Sequence, residues 1–116
     1  MKLLFVCSRN RLRSPTAEAV FSAYDGVEVL SAGTNPDAEN PVSPDLIEWA
    51  DLVFAMQNVH RRRLQKRFGP VLRAKRIIVL GIPDDYTYME PELVRILKEK
   101  VAPYLLGLNS RLQGET

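Results

Sequence analysis

Residues 2–24 read KLLFVCSRNRLRSPTAEAVFSAY, and three kinds of local structure follow one another along them. Lys2–Val6 is a short apolar, strand-like run. Ser14-Pro15 is a helix start, with serine at the N-cap and proline at the first helical position. Ala17, Val20, Phe21 and Tyr24 then recur at i, i+3, i+4 and i+7, one face of a helix that Asp25-Gly26 stops. Between strand and helix lies Cys7-Ser8-Arg9-Asn10-Arg11-Leu12-Arg13-Ser14. A loop of this kind curls successive backbone N–H groups into one concavity, and the helix dipole adds positive potential there. A tetrahedral dianion such as phosphate fits that concavity.

The pattern repeats along the chain. Val27–Ala32 reads as a second strand closed by Gly33, and Thr34 to Asn40 is a loop rich in Asn, Pro, Asp and Glu. Ser43-Pro44 opens a short helix through Leu46, Ile47 and Ala50, and Leu52–Ala55 is a third strand. Asn58 is expected to cap a helix with Val59, Leu64 and Phe68 inward, ended by Gly69-Pro70. Arg76–Leu80 is a fourth strand, followed by the loop Gly81–Met89. Glu90-Pro91 starts the last helix, with Leu93, Leu97, Val101 and Tyr104 inward. Pro103 should kink or end it, because proline cannot donate to the carbonyl of Glu99. Four strands alternating with four helices predict a single α/β domain over residues 1–108, a parallel sheet with helices on both faces, and a polar, frayed tail over 109–116. Ligands of such folds sit at the carboxyl ends of strands, which directs attention back to Cys7.

Composition narrows the function classes. The chain has 116 residues, 46% hydrophobic and 26% charged, the balance of one globular domain. No apolar run is long enough to span a bilayer, and the amino terminus does not read as a signal peptide, since Arg9, Arg11 and Arg13 follow its short apolar stretch at once. A cytoplasmic domain with no membrane contact is expected. One cysteine and one histidine exclude a Cys/His structural zinc site, so no metal and no cofactor is called for. Charge is uneven. Between Leu52 and Pro83 there is no acid, yet Arg61, Arg62, Arg63, Lys66, Arg67, Arg73, Lys75 and Arg76 fall there, eight of the sixteen basic residues. The basic segment 60–76 is either a docking face for a polyanion such as nucleic acid, or a solvated helix face with acids of neighbouring elements close by. His60, inside that run, reads as a surface residue.

The loop after the first strand carries the chemistry. The field that binds a dianion also favours thiolate over thiol at Cys7. Arg13 supplies a planar two-point clamp for phosphate oxygens, and Ser14 is placed to donate to the thiolate. The competing reading makes Cys7 a small buried hydrophobe at a strand end.

Cys7, Asn10, Arg13, Ser14, Pro15, Ala17 and Glu18 together resemble the signature of the low-molecular-weight protein tyrosine phosphatase family. Ser31-Ala32-Gly33-Thr34, the Asp51 to Met56 stretch and Ile82-Pro83-Asp84-Asp85-Tyr86 are similar to later stretches of that family. The resemblance implies a three-layer sandwich with strand order 2-1-3-4. It implies a phosphate site formed by Ser8, Arg9, Asn10, Arg11, Leu12, Arg13 and Ser14, with Asn10 left-handed and Ser31 holding it in place. It also implies a cysteinyl-phosphate mechanism in which Cys7 attacks, Arg13 stabilises and an aspartate protonates the leaving group, acting on a phosphorylated substrate such as phosphotyrosine. Asp84 matches the family's acid, while Asp85 stands where the family has proline. Tyr86 and Tyr88 are candidate walls for a substrate ring, and Tyr88 is equally a packing residue. Arg9 and Leu12 depart from the family, which has a small residue and often a second cysteine there. Arg9 and Arg11 add charge at the pocket rim, and the segment from Gly33 to Asp51 is short.

Two other functions compete. Arsenate reduction uses the same loop in related enzymes, but with Cys7 alone it would need an external thiol. A non-catalytic phosphate- or nucleic-acid-binding module would use the basic segment and leave Cys7 idle.

Overall fold

The computed structural model describes the backbone of residues 1–114 and the side chains of residues 1–105. Strands β1 (Lys2–Cys7), β2 (Glu28–Gly33), β3 (Leu52–Ala55) and β4 (Arg76–Val79) alternate with helices α1 (Arg13–Phe21), α2 (Pro44–Trp49), α3 (Asn58–Leu72) and α4 (Pro91–Gly114). The strands pair in parallel in the order β2-β1-β3-β4.

Alternation along β1 explains the layering, because successive side chains of a strand point to opposite faces. Leu3, Phe5 and Cys7 join Val20, Phe21, Leu93 and Leu97 in one core, which places α1 and α4 on that face. Leu4 and Val6 join Ile47, Leu64 and Leu72 in the other, under α2 and α3. Phe5 anchors the first core, stacked on Phe21 at 5.5 Å and on Phe54 at 4.9 Å. The chain runs from β1 to β2 on one side and then crosses to β3 on the other, so strand order reverses between β1 and β3. Crevices at such a reversal are where open α/β sheets bind ligands.

Several local expectations shift. Helix α1 starts at Arg13, so its N-cap is the apolar Leu12 and it has no side-chain cap; Ser14 lies inside the helix with its hydroxyl on the Cys7 and Asn10 side chains. Helix α3 is preceded by Gln57 rather than capped by Asn58, and it runs past Gly69-Pro70. The backbone leaves helical geometry at Phe68 (φ −126°, ψ 25°), so Pro70 lies at the start of a second helical segment, where its missing N–H costs little. Helix α4 likewise continues beyond Pro103. Pro103 and Glu99 are both exposed, so the carbonyl freed by the proline faces water. Ser43 does cap α2, accepting from the Leu46 amide. The polar tail expected over 109–116 lies outside the described side chains, and its last two residues lie outside the described backbone. Among the described residues, no helix is long and apolar enough to cross a membrane.

Candidate active site

The segment after β1 folds against the segment after β2. The carbonyls of Cys7, Ser8 and Arg9 accept from the amides of Thr34, Asn35 and Glu39. With those carbonyls committed to one side, the loop amides are left for a ligand on the other. Two backbone features make the turn possible. Asn10 takes φ +57°, the left-handed conformation that asparagine tolerates. Gly33 brings β2 so close that a Cβ there would sit 2.6 Å from the Ser8 carbonyl oxygen and 2.5 Å from the Ala38 Cβ.

Behind the loop is a chain of buried polar groups. Ser14 Oγ lies 2.9 Å from Cys7 Sγ and 2.9 Å from Asn10 Oδ1. One hydroxyl hydrogen serves two acceptors. With Cys7 as a thiol the chain runs from the thiol through the hydroxyl to Asn10, and with a thiolate the Ser14 hydrogen turns to sulfur. Ser31, expected to hold Asn10, instead donates to Glu18 Oε1 at 2.6 Å, while its carbonyl accepts from Asn40. Ser14 is the residue that fixes the Asn10 side chain.

Arg13 is almost fully buried and tied down from three strand ends. It leaves the loop of β1, donates to Gln57 Oε1 beyond β3 at 2.7 Å, and donates to the Ile82 carbonyl beyond β4 at 2.9 Å. Its Nε stands 3.6 Å from Asp84 Oδ1, a carboxylate about two-thirds exposed. Cys7, Ser8, Arg9, Arg11, Leu12, Arg13 and Asp84 line one cavity of about 290 Å³. Asp85 is not among those lining residues, and neither are Tyr86 or Tyr88. Tyr86 is half-buried against the sheet core, and Tyr88 is exposed. At the end of the loop carrying them, Met89 takes left-handed φ and its amide donates to Thr16 Oγ1. The expected aromatic walls are therefore corrected: the rim is made by Arg9, Arg11 and Leu12. Arg11 pairs loosely with Glu39 at 3.7 Å, both exposed.

His60 overturns its reading as a surface residue. It is buried, its Nδ1 accepts from the Gln57 amide at 3.0 Å, and its Nε2 lies 3.0 Å from Ser8 Oγ. With Nδ1 accepting, the neutral ring carries its proton on Nε2 and donates to Ser8. Burial, and then the charges of Arg13 and Arg63, lower its pKa from 6.5 to about 4 against an opposing pull from Asp84. Its position three residues after the helix-preceding Gln57 was the available signal, a polar side chain placed to reach back to a free helix-start amide.

A buried cysteine and a buried arginine share one cavity in a strand-loop-helix where the strand order of the parallel sheet reverses, an arrangement suited to a phosphate-like dianion. Residues 2–50, less than half of the chain, match the model of low molecular weight phosphotyrosine protein phosphatase. A curated relative, the protein-arginine-phosphatase of Bacillus subtilis strain 168, is 31% identical over a match covering 60% of this chain. That match spans 64% of the relative's length, just short of two thirds. Among solved structures, the YwlE arginine phosphatase with a phosphorylated active-site serine superposes with a TM-score of 0.70 at 26% identity, covering 90% of this chain and 95% of the other. A low molecular weight protein tyrosine phosphatase from Bacillus subtilis does so at TM-score 0.70 and 26% identity, covering 92% and 98%. The tyrosine phosphatase Wzb from Escherichia coli K30, at 17% identity and TM-score 0.73 over 92% and 97%, shares the fold. The chain is thus similar, over its amino-terminal part and in its fold, to low molecular weight phosphotyrosine protein phosphatases.

Proposed function

We propose that the protein is a cysteine-dependent phosphatase acting on phosphorylated protein side chains. The observation that carries this reading is the convergence of Cys7, Arg13 and Asp84 on one cavity. Cys7 thiolate attacks phosphorus in line with the leaving group, while the loop amides and Arg13 hold the equatorial oxygens. The P–O bond breaks as Asp84 gives its proton to the leaving oxygen, and sulfur keeps the phosphoryl group. Water then attacks phosphorus, Asp84 takes its proton, and the S–P bond breaks to release phosphate and restore the thiolate. Asp84, rather than Asp85, takes the acid role because it lines the cavity. A free thiol at the centre of this chemistry suits a reducing cytoplasmic setting.

Phosphotyrosine is the substrate favoured here. The rim cations Arg9 and Arg11 attract a dianionic aryl phosphate more strongly than a phosphoguanidinium, whose own positive charge cancels part of the attraction. The second reading, phosphoarginine, is supported by the arginine phosphatases to which the chain is similar and by the absence of Tyr86 and Tyr88 from the cavity lining. Comparing kcat/KM on matched phosphotyrosine and phosphoarginine peptides decides between them. Preference for the tyrosine ester is expected, and a reversed preference assigns the P–N bond instead.

A further inference from the structure

A second cavity, of about 320 Å³, opens beside the first and is lined by Thr34, Asn35, Pro36, Arg63, Lys66 and Arg67. Three cations from consecutive turns of α3 face the segment after β2, and no carboxylate lines the space. None of the three has an ion-pair partner among the described residues, so acids of neighbouring elements do not neutralise this part of the basic segment. Two of the cations are fixed at one end: Arg67 donates to the Thr34 carbonyl at 3.0 Å, and Arg63 Nη1 stands 3.4 Å from Ser8 Oγ. The Thr34 hydroxyl is buried and lacks a hydrogen-bond partner among the described residues. An arrangement of fixed, unneutralised cations in a concavity concentrates potential where an anion can enter.

The position of this cavity says what the anion belongs to. Ser8 lines the Cys7 cavity, and its hydroxyl meets Arg63 of the second one. The Ser8 carbonyl accepts from Asn35, another residue of the second lining. The two cavities are thus neighbours across a single residue of the phosphate loop.

We propose that this second cavity is a subsite for an anionic side chain of the polypeptide whose phosphoryl group occupies the loop, so that the preferred substrate is a phosphorylated segment flanked by acidic groups. The proposal rests on the phosphatase reading of the first cavity. Carboxylate and second phosphate share the chemistry required, two or more oxygens accepting from Arg63, Lys66 and Arg67.

The test pairs one phosphotyrosine peptide carrying glutamate beside the phosphotyrosine with the same peptide carrying glutamine, and a third peptide carries phosphoserine there. Each is measured on the wild type and on Lys66→Glu, an exposed position, with a small aryl phosphate as the reference substrate. The wild type should prefer the glutamate peptide by about fivefold in kcat/KM. Lys66→Glu should abolish or invert that preference and leave aryl phosphate turnover unchanged. A wild type indifferent to the flanking charge, or a preference that survives in Lys66→Glu, overturns the subsite. Oligonucleotide binding lost in Lys66→Glu without glutamate discrimination overturns it too, in favour of a nucleic-acid groove. If the wild type hydrolyses no aryl phosphate, the phosphatase reading fails by itself. Calorimetric binding of the same peptides to Cys7→Ser then decides the subsite without turnover, equal binding of the glutamate and glutamine peptides overturning it. The phosphoserine peptide shows which anion is preferred.

Discussion

The buried histidine makes the stability of this protein depend on pH in a calculable way. His60 is neutral when folded, with its ring closed between the Gln57 amide and the Ser8 hydroxyl. A second proton would sit on Nδ1, facing the Gln57 N–H donor, with the Arg13 and Arg63 charges close by. The folded pKa is therefore about 4, against 6.5 in the absence of these surroundings. Between those values the unfolded chain binds the proton that the folded chain refuses, so stability falls as pH falls from 6.5 towards 4. Above 6.5 both states are neutral and the contribution is flat; below 4 both are protonated. At about 1.4 kcal/mol per pH unit the full loss is about 3 kcal/mol, a sizeable part of the stability of a small domain. Urea unfolding of the wild type and of His60→Gln from pH 7 to pH 4 measures it. Glutamine can accept and donate but does not titrate here, and subtracting the two curves removes the contribution of the carboxylates. The wild-type advantage should shrink by about 3 kcal/mol across the range. Since His60 is the chain's one histidine, a single imidazole NMR resonance reports its titration independently. A constant difference between the curves, or a resonance titrating near 6.5, would refute the reasoning.

Other consequences follow from the same geometry. Gly33→Ala forces a methyl into the Ser8 carbonyl and Ala38, so it should cost about 2 kcal/mol in urea unfolding and lower kcat by displacing the phosphate loop; unchanged stability and kcat would show that the loop yields freely. Asp84→Ala should reduce kcat on an aryl phosphate by about a hundredfold or more, while Asp85→Ala, outside the cavity lining, should change it little. The reverse outcome moves the acid by one residue.

How far the sequence carried these conclusions differs between the fold and the site. Strand β3 was legible to the residue, and the layering followed from four strands alternating with four helices. Proline was the main source of error: Gly69-Pro70 was read as a stop and Pro103 as a kink or an end, yet both helices continue. Pro70 falls at a restart after the kink at Phe68, and Pro103 falls on a solvent-facing side of its helix. At the site, the cysteine-arginine loop was a local property of one short segment, and local spacing is what a sequence displays; the left-handed Asn10, observed at φ +57°, was an expectation from the family resemblance. Contacts made across the sheet were not displayed. His60 looked like one more polar residue beside Arg61, Arg62 and Arg63, yet the end of β3 carries it to Ser8, 52 positions away. The Ser31 hydroxyl went to Glu18 for the same kind of reason: each residue is local to its own element, and only the packing of α1 against β2 brings them together. Ser14 misled by having two uses, since the hydroxyl that reads as a helix cap is spent on Cys7 and Asn10.

The central claim is that sulfur carries the phosphoryl group. Rapid acid quench of the wild type with an aryl phosphate, followed by mass spectrometry of the peptide containing Cys7, tests it most directly. A phosphoryl adduct on Cys7 that turns over without added metal is expected, with loss of both the adduct and hydrolysis in Cys7→Ala. Hydrolysis that persists in Cys7→Ala, or wild-type turnover with no phosphorylated Cys7 under conditions that slow the second step, would contradict it.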